Sequence, residues 1–174
     1  MTFSIFTPPG ATDSAPAPCI FYLSGLTCTD ENFVQKAGAS QAAAAHGVAL
    51  IAPDTSPRNA EPVAGENDSY DFGSAAGFYI DATEQPWCDA GYAMETYVTE
   101  ELPALAAQID GIDTGVASIM GHSMGGHGAL SLGFKSLVNG GPVRFRSISA
   151  FSPICHPTNG AWGQKAFEGY LGSV

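Results

Sequence analysis

A strand, a sharp turn and a helix follow one another directly around Ser123, and this arrangement limits the fold more than any other stretch. Residues 116–120 form a β-branched and apolar run that predicts a buried strand, and residues 126–136 have a helical pattern. Between them, residues 121–125 read Gly-His-Ser-Met-Gly and fit the motif G-x-S-x-G. The glycines allow a turn so tight that the serine hydroxyl stands clear of the backbone. Ser123 is therefore the candidate nucleophile.

The alternative is an ordinary glycine-rich connection between a strand and a helix, since a bare G-x-S-x-G occurs often by chance. The residues after Met124 favour the nucleophile turn, because Gly125, Gly126, Gly128 and Ala129 are small. Small residues let a helix pack close to a sheet.

Further apolar segments alternate with helical ones along the chain. Strands are predicted at residues 2–6, 19–23, 48–52 and 145–151, and helices at 31–45, 92–108 and 162–171. The strand at 19–23 is apolar on both faces, as is typical of a central strand covered by helices. Pro103 should kink or restart the helix in which it lies. The sum predicts an α/β fold, with a mostly parallel sheet and helices on both faces.

Residues 53–89 show no persistent period. A loop of this length in a compact domain is usually functional. We expect its aromatic residues to pack it down as a lid or pocket wall, and its aspartates to hold its turns. The aromatic residues are Tyr70, Phe72, Phe78, Tyr79 and Trp87, and the aspartates are Asp68, Asp71 and Asp81. Residues 1–174 are predicted to form a single domain that carries this lid-like loop.

The charge balance and the cysteines exclude several classes of function. Six basic and seventeen acidic residues give a net charge of −11, which repels nucleic acids and anionic membranes. No apolar stretch reaches membrane-spanning length and no basic leader is present, so we expect a cytoplasmic protein. The four cysteines lack the spacing of a metal site, so we expect free thiols, no metal and no cofactor.

A serine hydroxyl needs a neighbouring base, usually a histidine held by a carboxylate. In folds with this turn the chain order is serine, then acid, then histidine. After Ser123 the sole acidic residue is Glu168, and neither His127 nor His156 follows it. We interpret His127 as structural, and His156 has no evident carboxylate partner. The simplest interpretation is that the chain stops before its acid and its base.

The oxyanion hole can be assigned to two backbone N–H groups. One is that of Met124, the residue after the nucleophile, and the other is that of Leu26, which follows the central strand. Cys28 lies two residues further on. It either faces the acyl pocket or is a small buried hydrophobe, and the sequence leaves both alternatives open.

Several long motifs occur in a fixed order through nearly the whole chain. They are residues 23–33 (Leu-Ser-Gly-Leu-Thr-Cys-Thr-Asp-Glu-Asn-Phe), 52–57 (Ala-Pro-Asp-Thr-Ser-Pro), 71–73, 76–79, 98–103, 121–130 and 162–167. With these motifs the chain resembles the S-formylglutathione hydrolases, the esterase D family of the α/β-hydrolase superfamily. The resemblance implies a serine thioesterase that hydrolyses S-formylglutathione to glutathione and formate in formaldehyde detoxification. The partner would be this small thioester.

The resemblance assigns the nucleophile to Ser123 and the oxyanion donors to Leu26 and Met124. The candidate pocket residues are Cys28, His122, Trp162 and Lys165. Family members are longer at both ends, and their acid and histidine would follow position 174, so the chain is expected to be truncated at its C-terminus. Two alternatives stay open: a general small-acyl carboxylesterase, and an inactive fragment that could form a homodimer through exposed sheet.

Glutathione is anionic, whereas the chain is acidic, so a local positive charge is needed. We expect Lys36, Arg58 or Lys165 to supply it, since basic residues are scarce near these loops. Residues 57–64 depart from the glycine-led loop of the family, so the rim of the pocket is expected to differ.

Overall fold

The computed structural model describes residues 1–59, 61–140 and 142–173. Ala60, which belongs to the predicted irregular loop, lies outside the described residues. The strands are Phe3–Phe6 (β1), Ala17–Leu23 (β2), Ala49–Pro53 (β3), Ile112–His122 (β4) and Ile148–Phe151 (β5). The α-helices are Asp30–Lys36 (α1), Ala39–His46 (α2), Met94–Thr96 (α3), Leu102–Ala106 (α4), Met124–Val138 (α5) and Ala161–Leu171 (α6). A π-helical segment spans Tyr97–Glu101, and a 3₁₀ turn spans Pro157–Asn159.

The five strands form one sheet in the order β1-β3-β2-β4-β5. β1 is antiparallel to β3, and all the other pairs are parallel. β2 and β4 are aligned so that Leu23 is paired with Gly121 at their carboxyl ends. The predicted mostly parallel sheet is confirmed, and the loops after β2 and β4 leave it side by side.

The two faces of the sheet are covered by different helices. On one face Phe21 and Leu23 of β2 are fully buried in the main core, together with Leu102 of α4 and Met124 of α5. On the other face Tyr22 stacks on Phe33 of α1, with ring centroids 3.7 Å apart. Helices therefore lie on both faces, as predicted.

The prediction of a single helix at residues 31–45 is wrong, because two helices occupy this stretch. Gly38 adopts a left-handed conformation with φ +62° between α1 and α2. The high helix propensity of the alanines in α2 does not carry the helix through a residue that so readily leaves helical geometry. Thr29 caps α1 through a capping box with Asn32, and Gly47 ends α2 in a left-handed conformation. Both of these end signals were predicted.

The helix predicted at residues 92–108 changes its hydrogen-bonding pattern before Pro103. In the π-helical segment the N–H of Leu102 donates to the Tyr97 carbonyl, five residues back. Pro103 has no N–H, so the α-helical ladder must begin again around it, and α4 starts at Leu102. The predicted restart is thus confirmed.

Between β3 and α3 no regular helix or strand occurs among the described residues. The aromatic side chains of this stretch largely point inward, since Phe78 and Tyr79 are fully buried and Trp87 is 7% exposed. The carboxylate of Asp81 accepts hydrogen bonds from the N–H of Thr96 (2.9 Å) and from its hydroxyl (2.5 Å). These contacts make the segment part of the core, while its action as a lid stays a prediction. No helix within the described part of the chain is long and apolar enough to cross a membrane.

Candidate active site

Ser123 lies at the sharp turn between β4 and α5. Its φ is +58° and its ψ is −118°, a conformation that non-glycine residues rarely adopt. Its N–H donates to the Phe151 carbonyl of β5 (2.9 Å), and its carbonyl accepts from the N–H of His127 (3.1 Å). Backbone strain of this kind is typical of functional sites. The turn places the side chain beyond the carboxyl end of a parallel strand, where ligands bind in α/β sheets.

Gly121 and Gly125, the two motif glycines beside Ser123, lie directly against backbone atoms. A Cβ on Gly121 would lie 2.1 Å from the Gly125 oxygen, and a Cβ on Gly125 would lie 1.9 Å from the Leu23 oxygen. Gly25, in the loop after β2, is less tightly constrained, because its Cβ would lie 3.1 Å from the Cβ of Ser123. Gly121 and Gly125 thus permit the tight turn, as predicted, whereas the contact of Gly25 was not predicted.

The backbone N–H groups of Leu26 and Met124 are both available. Neither donates a hydrogen bond to another backbone or side-chain group within the described part of the chain. Their neighbours differ, since the N–H of Thr27 donates to the Ala75 carbonyl (3.1 Å) and that of Cys28 to the Gly25 carbonyl (3.3 Å). One unused donor therefore lies in the loop after β2 and the other at the first residue of α5. An oxyanion hole needs unused donors of this kind.

The loop after β2 is held from one side by the residues that follow β3. The hydroxyl of Thr55 donates to the Cys28 carbonyl (2.6 Å), and the guanidinium of Arg58 contacts the same oxygen at 3.3 Å. Arg58 also binds the buried carboxylate of Asp54 through two hydrogen bonds of 2.8 and 3.0 Å. The hydrogen bond with Asp54 raises the pKa of Arg58, so its charge is engaged within the fold. Sequence reasoning gave Asp54 and Thr55 no role, although both lie in a quoted motif.

A cavity of about 280 Å³ opens beside this loop. It brings together Cys28 and His122 of the predicted pocket residues, and it is also lined by Lys36, Asn32 and Tyr22. Lys36 forms no ion pair with any described residue. The cavity is thus the place where a free positive charge lies near the loop that carries Leu26.

Trp162 and Lys165 lie elsewhere, on α6. The ammonium group of Lys165 donates to the hydroxyl of Ser69 (2.6 Å) and to the carboxylate of Asp71. These contacts, first of all the hydrogen bond from Lys165, lower the pKa of Asp71. The indole N–H of Trp162 donates to the hydroxyl of Tyr70 (3.3 Å). The structure therefore does not place Trp162 and Lys165 in the cavity that contains Cys28 and His122.

No base contacts the nucleophile within residues 1–59, 61–140 and 142–173. The hydroxyl of Ser123 forms no hydrogen bond with a histidine or a carboxylate there. The ring of His127 packs between Phe78 and Phe167, with centroid distances of 6.4 and 6.2 Å. Burial lowers the pKa of His127, and its Nε2 atom has no hydrogen-bond partner among these residues. His156 is exposed, immediately before the 3₁₀ turn.

Neither thiol pairing nor a metal centre is visible in the described part of the chain. All four cysteines are free, as predicted, and burial raises the pKa of Cys19 to about 12. No group of three or more histidine, cysteine or acidic side chains lies close enough together, among the described residues, to bind a metal ion.

Comparison with known proteins finds several close relatives. An S-formylglutathione hydrolase of Arabidopsis thaliana is 54% identical over 173 residues, and one of Mus musculus is 53% identical over 172. Both matches cover 99% of this chain but only 58% of the relative. The solved structure of an S-formylglutathione hydrolase from Agrobacterium tumefaciens is 45% identical, with a TM-score of 0.88 over 98% of this chain and 58% of the other.

These matches confirm the predicted α/β-hydrolase-like fold. The chain spans somewhat more than half the length of the curated relatives that it matches. A family model described as "Putative esterase" matches residues 1–171. The chain therefore belongs to the esterase family.

Proposed function

We propose that the natural protein is a serine thioesterase that hydrolyses S-formylglutathione to glutathione and formate, and so acts in formaldehyde detoxification. The observation that carries this proposal is the position of Ser123 at the strand-to-helix turn, with two unused N–H groups beside it. The names of the relatives at 49–54% identity support the choice of substrate.

In the proposed reaction the hydroxyl oxygen of Ser123 attacks the formyl carbon of the thioester. The carbonyl oxygen becomes an oxyanion that accepts hydrogen bonds from the N–H groups of Leu26 and Met124. The C–S bond then breaks, and glutathione leaves with the proton that came from the serine. Water hydrolyses the formyl ester on Ser123 and releases formate. A thiol has a pKa of about 8.5 and leaves readily, so this chemistry suits an activated serine.

The proton must be taken by a base that the described residues do not bring to Ser123. We propose that a histidine and its carboxylate belong to the part of the relatives that this chain does not span. His127 is a poor candidate, because burial disfavours its protonated form and its ring packs between two phenylalanines.

The natural full-length protein tests this proposal directly. We expect it to hydrolyse S-formylglutathione with a higher kcat/KM than 4-nitrophenyl acetate, and to react stoichiometrically with a fluorophosphonate at Ser123. Ser123→Ala should lower kcat by a factor of about 10⁵ and abolish labelling. A higher kcat/KM for the acetate ester would instead favour a general small-acyl carboxylesterase. Absence of both hydrolysis and labelling would indicate a non-catalytic protein.

We also propose Lys36 as the contact for the anionic thioester. Among the three candidates, Arg58 binds Asp54 and Lys165 binds Asp71, whereas Lys36 faces the cavity without an ion pair among the described residues. Lys36→Gln should raise KM for S-formylglutathione about fivefold and leave KM for the neutral 4-nitrophenyl acetate unchanged. Lys135→Gln is the matched control, since Lys135 is paired with Glu95 and lies outside this cavity. An unchanged KM in Lys36→Gln would refute the assignment.

A cytoplasmic location and a homodimer stay predictions from the sequence. Fractionation of the source cells and the molar mass in solution, measured by light scattering, would test them.

A further inference from the structure

Two consecutive aromatic residues of the irregular segment have left-handed backbone conformations. The φ angles are +49° for Phe78 and +56° for Tyr79, and both side chains are fully buried. This conformation is unfavourable for large side chains and persists only where surrounding contacts require it. The contacts of Tyr79 are unusual in that they reach both elements that carry the proposed oxyanion donors.

The first contact is with the loop after β2. The hydroxyl of Tyr79 donates to the Ser24 carbonyl at 2.8 Å. Burial raises the pKa of Tyr79 well above its ordinary value, so the hydroxyl keeps its proton and stays a donor. Ser24 lies two residues before Leu26.

Residues 75–79 also contact the backbone that follows Leu26. The carbonyl of Ala75 accepts a hydrogen bond from the N–H of Thr27 at 3.1 Å. Ser24 and Thr27 flank the Gly25–Leu26 peptide, so residues 75–79 fix the backbone before and after the Leu26 N–H. The direction of that N–H therefore depends on contacts made by these residues.

The second contact of Tyr79 is with α5. A Cβ on Gly128 would lie 2.5 Å from the Cδ2 atom of Tyr79, so the ring lies directly against the backbone of this helix. Gly128 follows Met124 by four residues, about one helical turn. The side chain of Tyr79 thus contacts the helix that begins with one donor and the loop that carries the other.

We propose that Tyr79 is a positioning residue that sets the separation and direction of the Leu26 and Met124 N–H groups. This inference rests on the proposed acyl-transfer role of Ser123. Oxyanion donors must lie about 2.7–3.1 Å from the developing oxyanion. A displacement of about 1 Å can lower a rate about 100-fold. Loss of the Tyr79 hydroxyl leaves the ring in place against α5, so only the hydrogen bond to the loop after β2 is lost.

The test compares Tyr79→Phe with Tyr92→Phe in the natural full-length protein. Tyr92 is an equally buried tyrosine whose hydroxyl donates to Glu66 (2.8 Å), away from the loop after β2. For both S-formylglutathione and 4-nitrophenyl acetate, we expect Tyr79→Phe to lower kcat about tenfold with KM within about twofold of the wild type. Tyr92→Phe should lower the unfolding midpoint and leave kcat near the wild-type value.

Equal kcat values in the two variants would overturn the inference. If Tyr79→Phe does not fold, Gly128→Ala provides the second variant, since this change keeps the Tyr79 hydroxyl and displaces the Tyr79 ring. A folded Gly128→Ala protein with unchanged kcat would also overturn the inference. A wild-type protein that hydrolyses only 4-nitrophenyl acetate would refute the proposed substrate, and the Tyr79 comparison would still decide the inference. A wild-type protein that hydrolyses neither would refute both.

Discussion

The turn at Ser123 and the irregular segment at residues 75–81 both hold non-glycine residues at positive φ, but they do so by opposite means. Around Ser123 the conformation depends on missing side chains, because Gly121 and Gly125 lie against backbone oxygens. In the irregular segment it depends on side chains that are present, such as the hydroxyl of Tyr79 and the carboxylate of Asp81. An added methyl group should therefore destabilise the turn at Ser123, whereas removal of a side chain should destabilise residues 75–81.

The two kinds of substitution also differ in how much stability they are expected to remove. A Cβ less than 3 Å from backbone atoms cannot be accommodated by a side-chain rotation, so strands or helices must move. A lost hydrogen bond costs about 1–3 kcal/mol when its partner stays buried.

The largest loss of stability is expected from Gly125→Ala. The new methyl group would lie 1.9 Å from the Leu23 oxygen and 2.6 Å from the Ser24 oxygen. We expect the free energy of unfolding to fall by about 3 kcal/mol or more, and kcat to fall more than about 100-fold. Urea denaturation and ester hydrolysis measure these changes.

Gly115→Ala is the matched control for this prediction. Gly115 is exposed in β4, the strand that leads to the turn, and its Cβ would meet only the side-chain oxygen of Asp113, at 3.1 Å. Its free energy of unfolding should stay within about 0.5 kcal/mol of the wild type. If both alanine variants were equally stable, steric exclusion would not explain the turn.

A smaller loss is expected from Asp81→Ala. This change removes the acceptor of the Thr96 N–H, in the first turn of α3, and of the Thr96 hydroxyl. We expect a loss of about 1–2 kcal/mol in the free energy of unfolding, as for a removed helix cap. Asp68→Ala is the control, because exposed Asp68 forms no side-chain hydrogen bond with any described residue. Equal stability of the two variants would show that side-chain hydrogen bonds do not hold this segment.

The smallest effect, and one that depends on pH, concerns the ion pair of Asp71 with Lys165. Because the pKa of Asp71 is lowered in the folded state, its charge stabilises the fold above the ordinary value of 3.8, and this stabilisation is lost as pH falls through the lowered pKa. Asp71→Asn should cost about 1 kcal/mol or less at pH 7, since the Lys165 side chain is 44% exposed.

The difference in free energy of unfolding between Asp71→Asn and the wild type should be constant from pH 7 to 5 and should become smaller below about pH 4. Urea denaturation at pH 7, 5 and 3 measures it. A gap that widened on acidification would contradict the sign of the pKa shift.

The two regions also differ in how far the sequence predicts them. Around Ser123 the constraints come from residues within two or three positions, so strand, turn and helix were all predicted correctly. The role of Gly25 could not be predicted, because its contact with Ser123 exists only after β2 and β4 have paired. The break at Gly38 could not be predicted from local propensity, because the neighbouring alanines favour a continuous helix and a single glycine is tolerated in one.

Only two of the four predicted pocket residues share a cavity, and the reason is the same. His122 ends β4, Cys28 lies in the loop after the adjacent strand β2, and the two share a cavity. Trp162 and Lys165 belong to a sequence motif that carries no information on distance. The contact of Tyr79 with Ser24 joins residues 55 positions apart. Neither hydrophobic periodicity nor turn chemistry contains a signal for such a contact.

The pairing of Leu23 with Gly121 has a consequence for folding kinetics. It joins strands about 100 residues apart in the sequence, and contacts of such long range form slowly because a large loop must close first. The Leu26 N–H is brought to Ser123 by this pairing, so an intermediate with separated β2 and β4 has the serine but lacks one donor of the proposed oxyanion hole. Covalent labelling at Ser123 during refolding would therefore follow the closing of the central sheet rather than the formation of helices.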